Sequence, residues 1–124
     1  MTSSHVHLSD EAIDADTQVV RAHGELDLYV APEFKRRLSA TIEAGKTRIV
    51  GDLTDAAFMD STALGVLIGA LKRLRVRGGA LAVAFEQPTM LRILELTGMD
   101  HVLDLHATAG EALAALAWSA EAKS

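Results

Sequence analysis

The residues whose types and spacing point to a definite chemistry are Asp60, Ser61 and Thr62. They lie in the segment DLTDAAFMDSTALGVLIG, Asp52–Gly69. A loop delivers them from the end of a strand to the start of an apolar helical run. Aspartate and serine are both favoured helix caps, because their oxygens accept hydrogen bonds from N–H groups that the first turn leaves unpaired. The same N–H groups and the helix dipole favour an anion. A serine there can carry a phosphoryl group without unfolding the domain. The group adds close to two negative charges at neutral pH, and its effect falls mainly on whatever docks beside it. Spacing alone favours the simpler role, capping by Asp60 or Ser61, because capped helices are common.

The helix that follows, Ser61–Val76, adds a second feature. Leu64, Leu67, Ile68, Leu71 and Leu74 form one apolar stripe at helical spacing. Opposite them lie Thr62, Gly65, Val66, Gly69 and Arg73. Each glycine costs about 1 kcal/mol of helix propensity relative to alanine, so stability does not account for the pair. Two readings stand side by side. The strip is a docking face beside Ser61, or the glycines clear a neighbouring loop of the same chain.

Other chemistry finds little support. The sequence has no GxSxG, no HExxH and no phosphate-cradling loop ending in Gly-Lys-Ser. No nucleophile has an evident base beside it, which counts against an enzyme. The absence of cysteine removes disulfides, thiol catalysis and cysteine metal sites. His5 and His7 share one face of a strand but lack a third ligand, and two surface histidines are commoner than a site. The reading therefore assigns no catalytic residue, no metal and no cofactor.

The 124 residues fit one domain. A net charge of -5 and few aromatics argue against a nucleic-acid partner. The basic cluster Lys72, Arg73, Arg75 and Arg77 reads as a helix end, where cations suit the dipole. Met1–Asp10 is polar and lacks the apolar segment of a secretory signal. The apolar stretches Ala63–Leu71 and Ala80–Phe85 are too short to span a bilayer. A soluble, cytoplasmic protein without membrane insertion is expected.

The elements that must position Ser61 follow from periodicity. Val6 and Leu8 suggest a short edge strand, and Asp10–Asp16 a loop. Thr17–Ala22 reads as a second strand, stopped at Gly24 and paired with the first as a hairpin. Val30–Glu43 is a helix with Val30, Phe34, Leu38 and Ile42 on one side. Arg48–Asp52, extended by Leu53, is a buried strand, and Thr54–Asp60 the loop to the acceptor helix. Gly78–Gly79 ends that helix, and Ala80–Phe85 is a central strand. A helix over Thr89–Thr97, a strand over Val102–Leu105 and a helix from Thr108 or Ala109 complete the chain. In the last helix Leu113 and Leu116 face inward. The order β-β-α-β-α-β-α-β-α predicts an α/β fold. About four helices pack on a mixed, mostly parallel sheet of about five strands.

These segments together resemble the STAS domains of bacterial anti-sigma factor antagonists. Gly24-Glu25-Leu26-Asp27, with Ala31-Pro32 beyond it, is similar to the family's GELD segment. Met59 to Leu67 (MDSTALGVL) is similar to its phosphorylation segment. Arg77-Gly78-Gly79 before a hydrophobic strand, then Leu94-Glu95-Leu96-Thr97-Gly98-Met99, continue the pattern, which covers about Val6 to Leu116. The resemblance implies one STAS-like domain over residues 5–118, with flexible termini at 1–4 and 119–124. It implies a partner switch. The unmodified protein binds an anti-sigma factor that is also a serine kinase, and so frees a sigma factor. Phosphorylation of the serine matching Ser61 separates the pair, and a serine phosphatase restores binding. Asp27 matches the family's aspartate near the acceptor, though a cap or turn is a common role for Asp. The partner-binding set is then Asp27, Asp60, Ser61, Thr62, Gly65, Val66, Gly69 and Arg73, and a homodimer stays open. The family often has Ser-Gly or Ser-Ser-Gly where this chain has Ser61-Thr62-Ala63, so Thr62 is a rival acceptor. A transporter or lipid-trafficking STAS subunit is the alternative. A receiver domain phosphorylated on Asp52 or Asp55 is a further one, although it lacks the acidic pair and the lysine that receivers need.

Overall fold

The computed structural model describes residues 7–123, with side chains through Trp118. The elements run β1 (His7–Ala12), β2 (Thr17–Leu26), α1 (Ala31–Glu43), β3 (Arg48–Met59) and α2 (Ser61–Val76). They continue with β4 (Ala80–Ala84), α3 (Pro88–Thr97), β5 (Asp104–His106) and α4 (Ala109–Lys123). A 3₁₀ turn, Met99–His101, precedes β5. The expected order and the mixed five-stranded sheet are both present. His5, Val6 and the tail expected at 1–4 lie outside the described residues.

The sheet order is β1-β2-β3-β4-β5. β1 pairs antiparallel with β2, as the hairpin reading expected, and every other pairing is parallel. Parallel neighbours need crossover helices, which here cover the two faces of the sheet. The larger core lies between the sheet and α1, α2 and α3, around Phe34, Leu38, Ile42, Leu67, Leu74 and Leu94. α4 covers the other face with Ala112 and Leu116 against Val19, Val50 and Ala82, and Leu113 is partly buried beside them. Strands covered on both faces read as continuous apolar runs, which is why β4 was legible.

Several boundaries differ from expectation. β2 does not stop at Gly24. That glycine sits at φ 106, in a conformation open to glycine, and accompanies register shifts against β3 on either side of it. Pairing resumes, so Leu26 aligns with Met59. The segment Thr54–Met59 is therefore strand rather than loop. Its low β-propensity Asp and Ala residues are overridden by pairing with residues 23–26 of β2.

β1 is longer than Val6–Leu8. Its polar residues suit an edge, where Glu11 meets Arg21 at 2.7 Å and Asp10 meets Arg37 at 3.4 Å. The last strand begins at Asp104 rather than Val102, because the 3₁₀ turn occupies the chain up to Val102. No helix among the described residues is long and apolar enough to cross a membrane.

Candidate functional site

The register of β2 on β3 builds the site. Leu26 pairs with Met59, and the Asp60 N–H donates to the Leu26 carbonyl at 3.0 Å. Asp27 and Asp60 thus leave the carboxyl ends of neighbouring parallel strands, where open α/β sheets place their ligands. Leu26 and Met59 are buried and anchor both turns.

Asp60 is the N-cap of α2. Its Oδ1 accepts from the Thr62 N–H at 2.9 Å and from the Ala63 N–H at 3.0 Å. Ser61 is the first helical residue, and both Ser61 and Thr62 are exposed. The cap therefore belongs to Asp60, and the Ser61 hydroxyl is released from that duty. Asp60 also occupies N–H groups that sequence reasoning left free for a phosphate. A phosphoryl group placed on Ser61 would stand next to the Asp60 carboxylate, on the surface. Asp60→Ala is expected to cost about 1 kcal/mol of stability, read as a lower midpoint in urea unfolding with an unchanged slope.

Asp27 makes the turn into α1. Its Oδ1 accepts from Tyr29 N–H at 3.0 Å and Val30 N–H at 3.2 Å. Its carbonyl accepts from Val30 and Ala31. The structural role of Asp27 is thus present, on a residue adjoining Asp60 across the strand ends.

The stripe on α2 that meets the sheet is Ala63, Leu67, Ala70, Leu71 and Leu74, all buried. Leu64 and Ile68, expected in it, are only half-buried. Alanine is a weak apolar signal in sequence, and Ala63 and Ala70 take the sheet-facing positions. Gly65 and Gly69 are exposed, and an added Cβ at either would meet nothing within 4 Å. No loop of the described chain needs them to be glycine. Among the described residues, nothing supports the reading in which the glycines clear a loop of the same chain.

Thr62, Gly65, Val66, Gly69 and Arg73 line one wall of a groove of about 680 Å³ between α2 and α1. Leu28, Pro32, Lys35 and Ser39 line the other, and the buried Ala31, Leu38 and Ala70 underlie it. Arg73 crosses to α1, donating to Ser39 Oγ at 2.7 Å and approaching Glu43 at 3.5 Å. Arg77 donates to the Ile42 carbonyl at 2.8 Å. These two members of the basic cluster tie α2 to α1, beyond complementing a helix end.

Sequence reasoning missed three exposed apolar residues at this end of the sheet. Leu28 is 55% exposed, Tyr29 82% and Phe58 42%. The available signal was an aromatic in a turn, in a chain with a single tyrosine. The receiver reading fares poorly. Asp52 is buried, meets Arg21 at 3.1 Å and accepts from the Thr54 hydroxyl at 2.7 Å. Bonding to Glu11 foremost, and to Asp52, raises the Arg21 pKa further above its ordinary value. That network braces β1, β2 and β3, with Asp52 holding the middle of it.

This sheet order, and a serine at a capped helix start beyond a parallel strand, define a class. The STAS domain profile matches residues 10–112, and the chain belongs to the STAS domain family. Its relatives are anti-sigma factor antagonists. The anti-sigma-B factor antagonist of Listeria monocytogenes is 34% identical over 99 residues, covering 79% of this chain and 86% of that protein. The crystal structure of an anti-sigma factor antagonist from Mycobacterium paratuberculosis superposes with TM-score 0.81 at 27% identity. That match covers 90% of this chain and 93% of the other. SpoIIAA, an anti-sigma factor antagonist, is similar in its unphosphorylated form, with TM-score 0.75 at 25% identity over 86% of this chain and 93% of its own. Its phosphorylated form gives TM-score 0.69 at the same identity, over 86% and 96%.

Proposed function

We propose that this protein is an anti-sigma factor antagonist working as a phosphorylation-controlled partner switch. Unphosphorylated, it binds an anti-sigma factor that is also a serine kinase, and a sigma factor is released. Phosphorylation of Ser61 abolishes that binding, and a serine phosphatase reverses it. The chain contributes surface and acceptor rather than catalysis. The observation that carries the reading is Ser61 itself. It is exposed at the first position of α2, released from capping by Asp60, beside a groove whose glycines serve no contact within the described chain. Relatives named for anti-sigma factor antagonism, one similar protein known in both phosphorylation states, support it. Exposed Tyr29, with Leu28 beside it, adds an aromatic of the kind that interfaces concentrate at their centres.

The test is incubation with ATP and each candidate kinase-type anti-sigma factor from the same genome, then mapping of the phosphosite by mass spectrometry. One acid-stable phosphate on Ser61, absent from Ser61→Ala, is expected. Phosphate on Thr62 with Ser61 unmodified would reassign the acceptor. Phosphate on neither, with no complex formed, would sink the reading.

A further inference from the structure

His7 and His23 oppose each other at the open end of the β1–β2 hairpin. They are partners in the antiparallel register, and their ring centres stand 6.2 Å apart with the planes tilted by 54°. Directly opposed residues of an antiparallel pair share one face of the sheet, with Cβ atoms about 5 Å apart. On this face Glu11 opposes Val19, which packs with α4. Ser9 opposite Arg21 and His7 opposite His23 follow at two-residue steps. Both histidines are exposed.

A purely structural role explains the pair poorly. Protonated, the two rings are like charges set directly across a strand pair, which destabilises it. No ion pair among the described residues uses either ring. The nearest cation on the same face, Arg21, is taken up by Glu11 at 2.7 Å and Asp52 at 3.1 Å. His23 is itself in register with Asp55 on β3, and Glu25 with Phe58 beyond it, so the strands around the pair carry carboxylates.

The spacing suits a shared ion. Zinc binds histidine nitrogen at about 2.0–2.1 Å, which sets the centres of two ligating rings roughly 5–6 Å apart. Exposed side chains have the freedom to close the small difference. No three His, Asp or Glu side chains among the described residues converge on one point, so water fills the other positions of such an ion. Two imidazoles with water suit zinc, nickel or copper, whereas calcium and magnesium take oxygen ligands.

We infer that His7 and His23 chelate a divalent transition cation of the zinc, nickel or copper class. Sequence spacing pairs His7 with His5; the fold supplies His23 instead. The ion ties the edge strand β1 to β2 just before the irregularity at Gly24. It is independent of the switch at Ser61, and each stands or falls without the other.

The experiment is calorimetric titration of zinc ion into the full chain, free of any affinity tag, and into His7→Ala, His23→Ala and His5→Ala. Thermal unfolding is followed with and without the ion. His7 and His23 are exposed, so their variants are expected to fold, and their metal-free midpoints check this. A loss of affinity of about tenfold or more is expected for His7→Ala and for His23→Ala, against a few-fold at most for His5→Ala. Saturating zinc is expected to raise the wild-type midpoint by about 3 °C or more, because the pair exists only in the folded chain, and to leave His23→Ala unmoved. If His23→Ala binds zinc like wild type while His5→Ala does not, the N-terminal segment holds the ion and the inference is overturned. Wild type that binds no zinc at millimolar ion, or binds it with an unchanged midpoint, overturns it too.

Discussion

Phosphorylated at Ser61, the protein is expected to bind its anti-sigma factor about a hundredfold more weakly, or worse, than the unmodified chain. Ser61 is exposed, so the phosphate costs the isolated domain little. The adjoining Asp60 carboxylate already holds the Thr62 and Ala63 N–H groups, so the phosphate arrives where an anion is in place. Asp27 leaves the neighbouring strand end. A partner matched to these carboxylates and a neutral hydroxyl then meets nearly two added charges and the bulk of a phosphoryl group. Like-charge juxtaposition at an interface costs several kcal/mol, and a hundredfold loss needs only about 2.7 kcal/mol. Ser61→Asp adds a single charge on a shorter side chain and is expected to reproduce part of the loss. Ser61→Ala is expected to bind within severalfold of wild type and to resist the kinase. Calorimetry on authentic phosphoprotein decides the matter, and affinity equal to wild type in both phosphoprotein and Ser61→Asp would refute the switch.

The position of Ser61 was legible in sequence because several local signals agree there. A polar triplet interrupts apolar runs, Asp60 is a favoured cap residue, and helical periodicity begins at once. The helices around it were legible for the same reason, since Phe34, Leu38 and Ile42 in α1 and Leu67, Leu71 and Leu74 in α2 repeat at the helical period and are all buried. What was not legible depends on pairing between distant segments. Gly24 reads as a stop, yet the chain passes through it as a bulge, because β3 offers partners on the far side. The same pairing turns Thr54–Met59 into strand and brings Asp27 beside Asp60. The groove was half-legible. Its α2 wall follows from spacing within one helix. Its other wall, Leu28 in the turn before α1 and Pro32, Lys35 and Ser39 on it, requires knowing that the two crossover helices lie side by side on one face of the sheet.

The glycines separate into those the fold needs and those it does not, and Gly79→Ala is expected to be the costlier test. In sequence Gly78–Gly79 is one signal, the end of α2. In the structure they differ. Gly78 sits at φ +74 with open space around it, a position needing only glycine's conformational freedom. A Cβ on Gly79 would lie 2.3 Å from the Thr47 carbonyl oxygen, 3.2 Å from its carbon and 3.3 Å from Leu74 Cδ2. Thr47 has little room to yield. Its N–H bonds to the Asp16 carbonyl at 3.0 Å, and its own carbonyl accepts from Ala80 at 2.8 Å where β3 and β4 begin to pair. Gly79 N–H is itself held by the Leu74 carbonyl at 2.7 Å. The backbone must shift at the root of two central strands, at the upper end of overpacking costs, about 3 kcal/mol. Gly69→Ala adds the same methyl group into open space within a helix and is expected to stabilise by up to about 1 kcal/mol. Urea unfolding of the two variants should move their midpoints in opposite directions, and a Gly79→Ala midpoint equal to wild type would contradict the contact with Thr47. A stabilising Gly69→Ala has a further meaning. The chain then keeps glycine at Gly69 against its own stability, which fits a role for the open face above it in docking a partner.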